Sequence, residues 1–258
     1  MLGVILAGGT GSRLKPLTHV TNKHLLPVYN KPMIYYPLEL LKKLGVREIA
    51  LVAGREFAGD FSNLFGDGRD HGVNFTYKVQ EGAPGIAHAI GLVERIAGNE
   101  PILAILGDNI FMMDDAELQK TRGSIADFNM DPDGAMLFLK DVPDAHRFGV
   151  AEFNSDGRIL GIEEKPKQPK SRYAVTGLYM YDNTVFNKIK MLKPSNRNEL
   201  EVTDLNNHYL NEGKLKYHIL KGEWTDAGTF ESLHRANILA KKVADSEKEE
   251  EQNAVQIH

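Results

Sequence analysis

Leu2-Gly3-Val4-Ile5-Leu6-Ala7-Gly8-Gly9-Thr10-Gly11-Ser12-Arg13-Leu14-Lys15-Pro16 opens the chain with an apolar run that passes straight into a glycine-rich turn. The run reads as a strand. Three glycines in the four positions 8–11 let successive backbone N–H groups converge on an anion with no Cβ in the way. Arg13 adds a planar fork of donors matched to phosphate oxygens. The spacing departs from two common phosphate-binding loops. Ser12, Arg13 and Leu14 stand where the third glycine of a dinucleotide fingerprint belongs, and no Gly-Lys-Ser/Thr follows, which disfavours both a nicotinamide-dependent dehydrogenase and a Walker loop. Taken alone, the glycine cluster is also compatible with a plain strand-to-helix turn.

Outward from this turn, apolar runs alternate with helical spacing. Residues 49–52 and 102–106 are continuously apolar, as strands buried on both faces of a parallel sheet are. Between them Ile86, Ala87, Ala89, Ile90, Val93 and Ile96 recur at helical spacing up to a stop near Gly98, and Val73, Phe75, Tyr77 and Val79 alternate as a half-buried strand. Residues 33–44 read as a helix stopped by Gly45 and started or kinked by Pro37. The punctuation predicts an α/β fold with a Rossmann-like open sheet, mixed but mostly parallel and flanked by helices. Beyond about residue 135 the texture changes to strands and tight turns. Residues 150–153 and 159–162 form a hairpin around Asn154-Ser155-Asp156-Gly157, residues 175–181 a strand, and residues 185–192 a helix ended by Pro194. A last helix is expected to end near Ala240, leaving residues 241–258 as a charged tail, solvated or disordered.

The bulk properties narrow the class. A chain of 258 residues is long enough for one large α/β domain. Its net charge of -4 argues against a nucleic-acid-coating protein. With no cysteine there are no disulfides, thiolate zinc sites or cysteine nucleophiles. The nine histidines show no clustered metal spacing. No run approaches membrane-spanning length and the N-terminus enters a strand without a basic flank, so the expected location is the cytoplasm and no membrane partner is expected.

Asn22-Lys23-His24-Leu25-Leu26-Pro27-Val28 and Lys31-Pro32-Met33-Ile34-Tyr35-Tyr36-Pro37 follow the glycine turn. Together they resemble the sugar nucleotidylyltransferases, which join a nucleoside triphosphate to a sugar 1-phosphate, and specifically the glucose-1-phosphate thymidylyltransferases. The resemblance continues through Leu106-Gly107-Asp108-Asn109-Ile110-Phe111, Arg147-Phe148-Gly149-Val150, Glu163-Glu164-Lys165-Pro166, residues 173–179, residues 199–204 and Trp224-Thr225-Asp226-Ala227-Gly228-Thr229. It implies a single domain over residues 1–240, with a nucleotide-binding part at about 1–134 and a sugar-binding part at about 135–240. It also implies transfer from dTTP to glucose 1-phosphate with Mg2+ as cofactor, giving dTDP-glucose and pyrophosphate for deoxysugars such as rhamnose.

By position, the resemblance assigns catalysis to Arg13, Lys23, Asp108 and Asp226, the last two also holding the metal. Leu6, Gly8, Gly9, Thr10 and Gly11 would face the nucleotide with Arg13, Lys23 and Asp108, while Gln80 and Gly85 would meet the pyrimidine edge and the ribose surroundings. Asn109, Gly149, Glu164, Lys165, Val175, Gly177 and Arg197 would surround the sugar phosphate. The chemistry suits these residue types. A sugar phosphate has a second pKa near about 6, so its oxygen is already largely an anionic nucleophile at neutral pH. The catalytic burden is to bring two polyanions together, which calls for cations, backbone amides and a metal. Asp108 directly follows an apolar strand run, the place where open α/β sheets hold ligands.

Several alternatives stay open at this level. Lys165 beside Glu164 also reads as a turn ion pair, and Glu164 as a strand-surface carboxylate. UTP or another sugar 1-phosphate is the near alternative, and a catalytically silent nucleotide-sugar sensor the distant one. His24 stands where many longer relatives carry Gln, and Phe148 where they often carry Tyr. The sequence also reads as a short form without the extra C-terminal helices of longer relatives, and as a monomer or a small homo-oligomer.

Overall fold

The computed structural model describes residues 1–255 and, within its last helix, side chains as far as Asp245. The apolar opening run is strand β1 (Leu2–Ala7), buried along its whole length. It shows no alternation because it has a parallel neighbour on each side and helices over both faces. After the glycine turn, β2 (Pro27–Val28) and β3 (Lys31–Pro32) form a small antiparallel pair. Helix α1 (Tyr35–Lys43) carries Pro37 in its first turn, where the missing N–H removes no helical bond. Then come β4 (Glu48–Gly54), α2 (Ala58–Phe65), β5 (Asn74–Gln80), the short helices α3 (Ile86–Gly91) and α4 (Glu94–Ala97), and β6 (Ile102–Leu106). Strand β7 (Asn109–Met112) leaves the main sheet, and α5 (Asp115–Met130) returns the chain to β8 (Ala135–Asp141). The remainder comprises β9 (Gly149–Phe153), β10 (Ile159–Glu164), β11 (Tyr173–Tyr181), α6 (Val185–Met191), α7 (Val202–Asn211), β12 (Leu215–Ile219), β13 (Glu223–Asp226) and α8 (Phe230–Val255).

The main sheet has nine strands along the path β10-β9-β11-β6-β1-β4-β5, with β8 beside β11 and β12 beside β8. β6, β1, β4 and β5 are mutually parallel, whereas β11 runs antiparallel to β6. Leu178 to Tyr181 pair with β6, but Ala174 pairs with Val150 of β9. The β9–β10 hairpin therefore joins the sheet beyond the carboxyl end of β6. Val4 faces a core built with Ala87 and Ile90 of α3, Phe186 of α6 and Leu205 and Tyr209 of α7. Ile5 faces the other core, with Leu38 and Leu41 of α1, Phe61 and Phe65 of α2 and Ile125 and Phe128 of α5. Each of the valine, leucine, isoleucine and phenylalanine side chains among these contributes about 1.5–3 kcal/mol on burial. The expected mixed, mostly parallel sheet between helical layers is what the chain forms.

Three details differ from the sequence reading. The helix expected over residues 86–96 is broken into α3 and α4, because Val93 sits at φ -96°, ψ 4° and interrupts the ladder. At the end of edge strand β5, Val79 is exposed while Gln80, on the opposite face, is buried. The helix expected to end near Ala240 continues as α8 to Val255; residues 241–255 are thus helical, and residues 256–258 lie outside the described residues. Lysine and glutamate are good helix formers without an apolar stripe, so charge alone did not mark an end. Among the described residues no helix is long and apolar enough to cross a membrane.

Candidate active site

The loop after β1 turns on Gly11, whose φ of 66° is open to glycine. The Gly11 carbonyl accepts from Thr18 Oγ1 at 2.9 Å and from the Leu14 N–H at 2.9 Å, which fixes the short helical turn carrying Arg13. Arg13 is exposed and forms no hydrogen bond or ion pair among the described residues. Its guanidinium lies over Gly228. A Cβ there would stand 2.9 Å from Arg13 Nη2, 3.1 Å from Asp226 Oδ2 and 3.4 Å from Asp108 Oδ2. One cation and two carboxylates thus converge on one point.

The two acids meet because β7 and β13 pair antiparallel with Asp226 opposite Asn109, and the Ala227 N–H donates to the Asp108 carbonyl at 2.8 Å. Lys23 Nζ donates to Asp108 Oδ2. Asn109 Nδ2 donates to Asp108 Oδ1 at 3.0 Å, while Asn109 Oδ1 accepts from Trp224 Nε1 at 2.7 Å and from the Gly177 N–H at 3.0 Å. Asn109, expected near the sugar, is thereby a bracket for Asp108. Burial works against the charge on Asp108, but Lys23 and the hydrogen bonds outweigh it and hold the carboxyl well below the usual range. Arg147 Nη2 donates to both oxygens of Asp226, at 2.9 and 3.0 Å. Two carboxylates suit Mg2+, which fills its remaining positions with water and phosphate oxygens. Among the described residues no group of three or more His, Asp or Glu side chains forms an all-protein cage.

On the far side, Glu164 Oε2 accepts from Thr203 Oγ1 at 2.7 Å. Its Oε1 lies 3.1 Å from Lys165 Nζ and 3.4 Å from Arg197 Nη2, so both predicted phosphate-binding cations gather on one carboxylate. Lys165 holds φ at 46°, a costly conformation that concentrates at functional positions. Arg197 is also held at the rim by Glu201, at 2.8 Å.

On the near side, Gln80 Nε2 donates to the Gly85 carbonyl at 3.1 Å and lies 3.2 Å from His88 Nδ1. Its Oε1 approaches Gly8 so closely that a Cβ there would stand 2.1 Å away. Among the described residues no donor pairs with that oxygen, which leaves it an acceptor open to a ligand. His24 is buried, and burial together with neighbouring Lys23 lowers its pKa from 6.5 to about 3. Its Nδ1 lies 2.7 Å from Asn22 Oδ1, which leaves Nε2 as an acceptor.

All the predicted site residues except Thr10, Gly11 and Arg197 line one cleft of about 300 Å³. Gly11 acts behind the wall, shaping the loop, and Thr10 is exposed beside it. Sequence reasoning missed Arg147, Tyr179 and Glu199, which also line the cleft. Arg147 is the one charged residue of the quoted Arg147-Phe148-Gly149-Val150 segment, and that was its signal.

Residues 2–243 match the sequence model of the nucleotidyl transferase family. A glucose-1-phosphate thymidylyltransferase of Neisseria meningitidis is 47% identical over 245 residues, which cover 94% of this chain and 83% of that protein. The enzyme of the same name from Mycolicibacterium smegmatis is 43% identical over 94% of this chain and 83% of its own. A Bacillus anthracis protein assigned as a glucose-1-phosphate thymidylyltransferase, solved with sucrose, superposes with a TM-score of 0.86 at 52% identity, covering 93% of this chain and 95% of that one. A UDP-glucose pyrophosphorylase solved with UDP-glucose superposes at 0.80 with 25% identity, covering 93% and 98%. On this footing the chain belongs to the nucleotidyl transferase family and, within it, to the glucose-1-phosphate thymidylyltransferases.

Proposed function

We propose that the cleft transfers the thymidylyl group of dTTP to α-D-glucose 1-phosphate. An oxygen of the sugar phosphate attacks the α-phosphorus in line. The bond from that phosphorus to the bridging oxygen breaks, and pyrophosphate leaves with the electron pair. The observation that carries this reading is the convergence of Arg13, Lys23, Asp108 and Asp226 at the centre of one cleft, with Gln80 on one flank and Glu164, Lys165 and Arg197 on the other.

Arg13 and Lys23 bind the triphosphate and stabilise charge on the α-phosphate and the leaving pyrophosphate. Gln80 Oε1 orients the pyrimidine through its imide N–H. Lys165 and Arg197 hold the sugar phosphate, and Glu164 accepts from sugar hydroxyls. Asp108 and Asp226 would hold Mg2+, which supplies charge neutralisation at phosphate oxygens. At a dielectric of about 20, unit charges 4 Å apart repel by roughly 4 kcal/mol, so cations placed in advance lower the cost of bringing the two anions together. Uracil offers Gln80 the same imide N–H, which makes UTP the second donor to test. The product would feed deoxysugar assembly.

The test is product identification by phosphorus NMR with dTTP, glucose 1-phosphate and Mg2+. The expected result is dTDP-glucose and pyrophosphate in equal amounts, and no pyrophosphate when glucose 1-phosphate is omitted. Binding of dTDP-glucose with no turnover of either substrate would favour a nucleotide-sugar sensor.

A further inference from the structure

Both acids placed for the metal are already closed by internal cations. Asp108 carries Lys23 on one oxygen and Asn109 on the other. Asp226 carries Arg147 across both oxygens, at 2.9 and 3.0 Å, and the Gly228 N–H at 3.2 Å. The other arm of the Arg147 guanidinium, Nη1, donates to Asp144 Oδ2 at 2.9 Å. Asp144 is the unusual member of this chain of charges. Its Oδ2 also has Arg235 Nη2 of α8 at 3.6 Å, but its Oδ1 is buried with no hydrogen-bond partner. A buried carboxylate oxygen left without a donor is costly and rare.

One guanidinium between two carboxylates has two pairings open to it. It can straddle them, as here, or turn wholly onto Asp144 and give the orphaned Oδ1 its donor. The second pairing frees both oxygens of Asp226. We propose that Arg147 is a gate on the metal site: it holds Asp226 closed in the nucleotide-free protein and withdraws onto Asp144 when a divalent ion enters with the triphosphate. Arg147 and Asp144 are then positioning residues that couple metal binding to nucleotide binding. A bare divalent ion must displace a guanidinium and suffer its repulsion. An ion accompanied by a triphosphate brings compensating negative charge, and its oxygens offer Lys23 a partner in place of Asp108. The inference rests on the reading of Asp226 as a metal ligand.

The test is binding of Mn2+, as a paramagnetic substitute for Mg2+, to the full chain: without nucleotide it is read from the electron paramagnetic resonance signal of the free ion, and with dTTP from the enhanced water proton relaxation of protein-bound Mn2+ over a protein-free Mn2+–dTTP control, because the triphosphate itself chelates the ion. The nucleotide-free protein is expected to bind Mn2+ weakly. Arg147→Gln is expected to bind it at least tenfold more tightly without nucleotide, and adding Asp226→Asn should abolish that gain. Asp144→Asn removes the place to which Arg147 withdraws. It should leave nucleotide-free affinity no higher than in the unaltered protein and weaken Mn2+ binding with dTTP about tenfold. A purely structural role for these residues would weaken binding in both variants. The gate is overturned if folded Arg147→Gln binds Mn2+ no more tightly than the unaltered protein, or if the unaltered protein already binds it as tightly without nucleotide. If Asp226→Asn leaves Mn2+ binding with dTTP intact, the metal reading itself fails, and the gate with it.

Discussion

Arg13 brings a full charge into the cleft and is tied to nothing there, so its value to the protein is held in reserve for a ligand. Arg13→Ala should lower kcat about 100- to 1000-fold, the usual cost of removing one preorganised charge-stabilising donor. Because it breaks no internal bond, the melting temperature should stay where it is. Steady-state pyrophosphate release and a thermal melt read the two outcomes. His24 has the opposite character, being buried and neutral. It protonates near pH 6.5 in the unfolded chain but only near pH 3 in the folded one, so the unfolded state binds the extra proton between these values. Stability from this group is complete above about pH 6.5 and is lost as pH falls toward about 3, by roughly 2 kcal/mol at about pH 5. Urea unfolding at about pH 7.5 and pH 5 should show this acid loss in the unaltered protein and a smaller one in His24→Gln. Lys23 was reached only through the resemblance of its motif, whereas Arg13 and Asp108 were legible in the sequence because one sits in a glycine turn and the other just past a strand end. Arg147 was not, since its chemistry comes from Asp226, 79 positions away.

At the scale of elements, the acid pair depends on where β13 lies against β7, and α5 holds that register. Asp114 caps α5 by accepting from the Glu117 N–H at 2.8 Å, and buried Glu117 accepts from the Lys221 and Gly222 N–H groups just before β13. The helix escaped the sequence reading because its inward positions are Glu117, Thr121, Ile125 and Phe128. Half of that stripe is polar, so the hydrophobic period is faint. Strands β1, β4 and β6 were legible for the opposite reason, since burial on both faces leaves an uninterrupted apolar run. Glu117→Ala would remove two hydrogen bonds from partly buried N–H donors to a carboxylate, at about 1.5–3 kcal/mol each. A loss of about 2–5 kcal/mol in unfolding free energy is expected, together with reduced turnover as Asp226 loses its register. Denaturant unfolding and pyrophosphate release check the two effects, and turnover unchanged beside a large stability loss would separate α5 from the site.

Over the whole molecule, the cleft lies at the carboxyl ends of β1, β5 and β6 and is closed from beyond them by the β9–β10 hairpin and the start of α7. Residues before and after position 135 contribute to it. Arg13, Lys23, Arg147 and Lys165 line it together with Asp108, Glu164, Glu199 and Asp226, so a protein of net charge -4 holds a cleft whose own charges balance. Under the proposed function, two bound polyanions would displace the carboxylates from their cations, and neither substrate alone would complete that exchange. The proposed transfer in one displacement would leave no nucleotidyl group on the protein at any stage. The decisive measurement is exchange of labelled pyrophosphate into dTTP, made with and without glucose 1-phosphate. Exchange is expected only when glucose 1-phosphate is present; comparable exchange in its absence would reveal a covalent nucleotidyl intermediate and contradict direct transfer between two bound substrates.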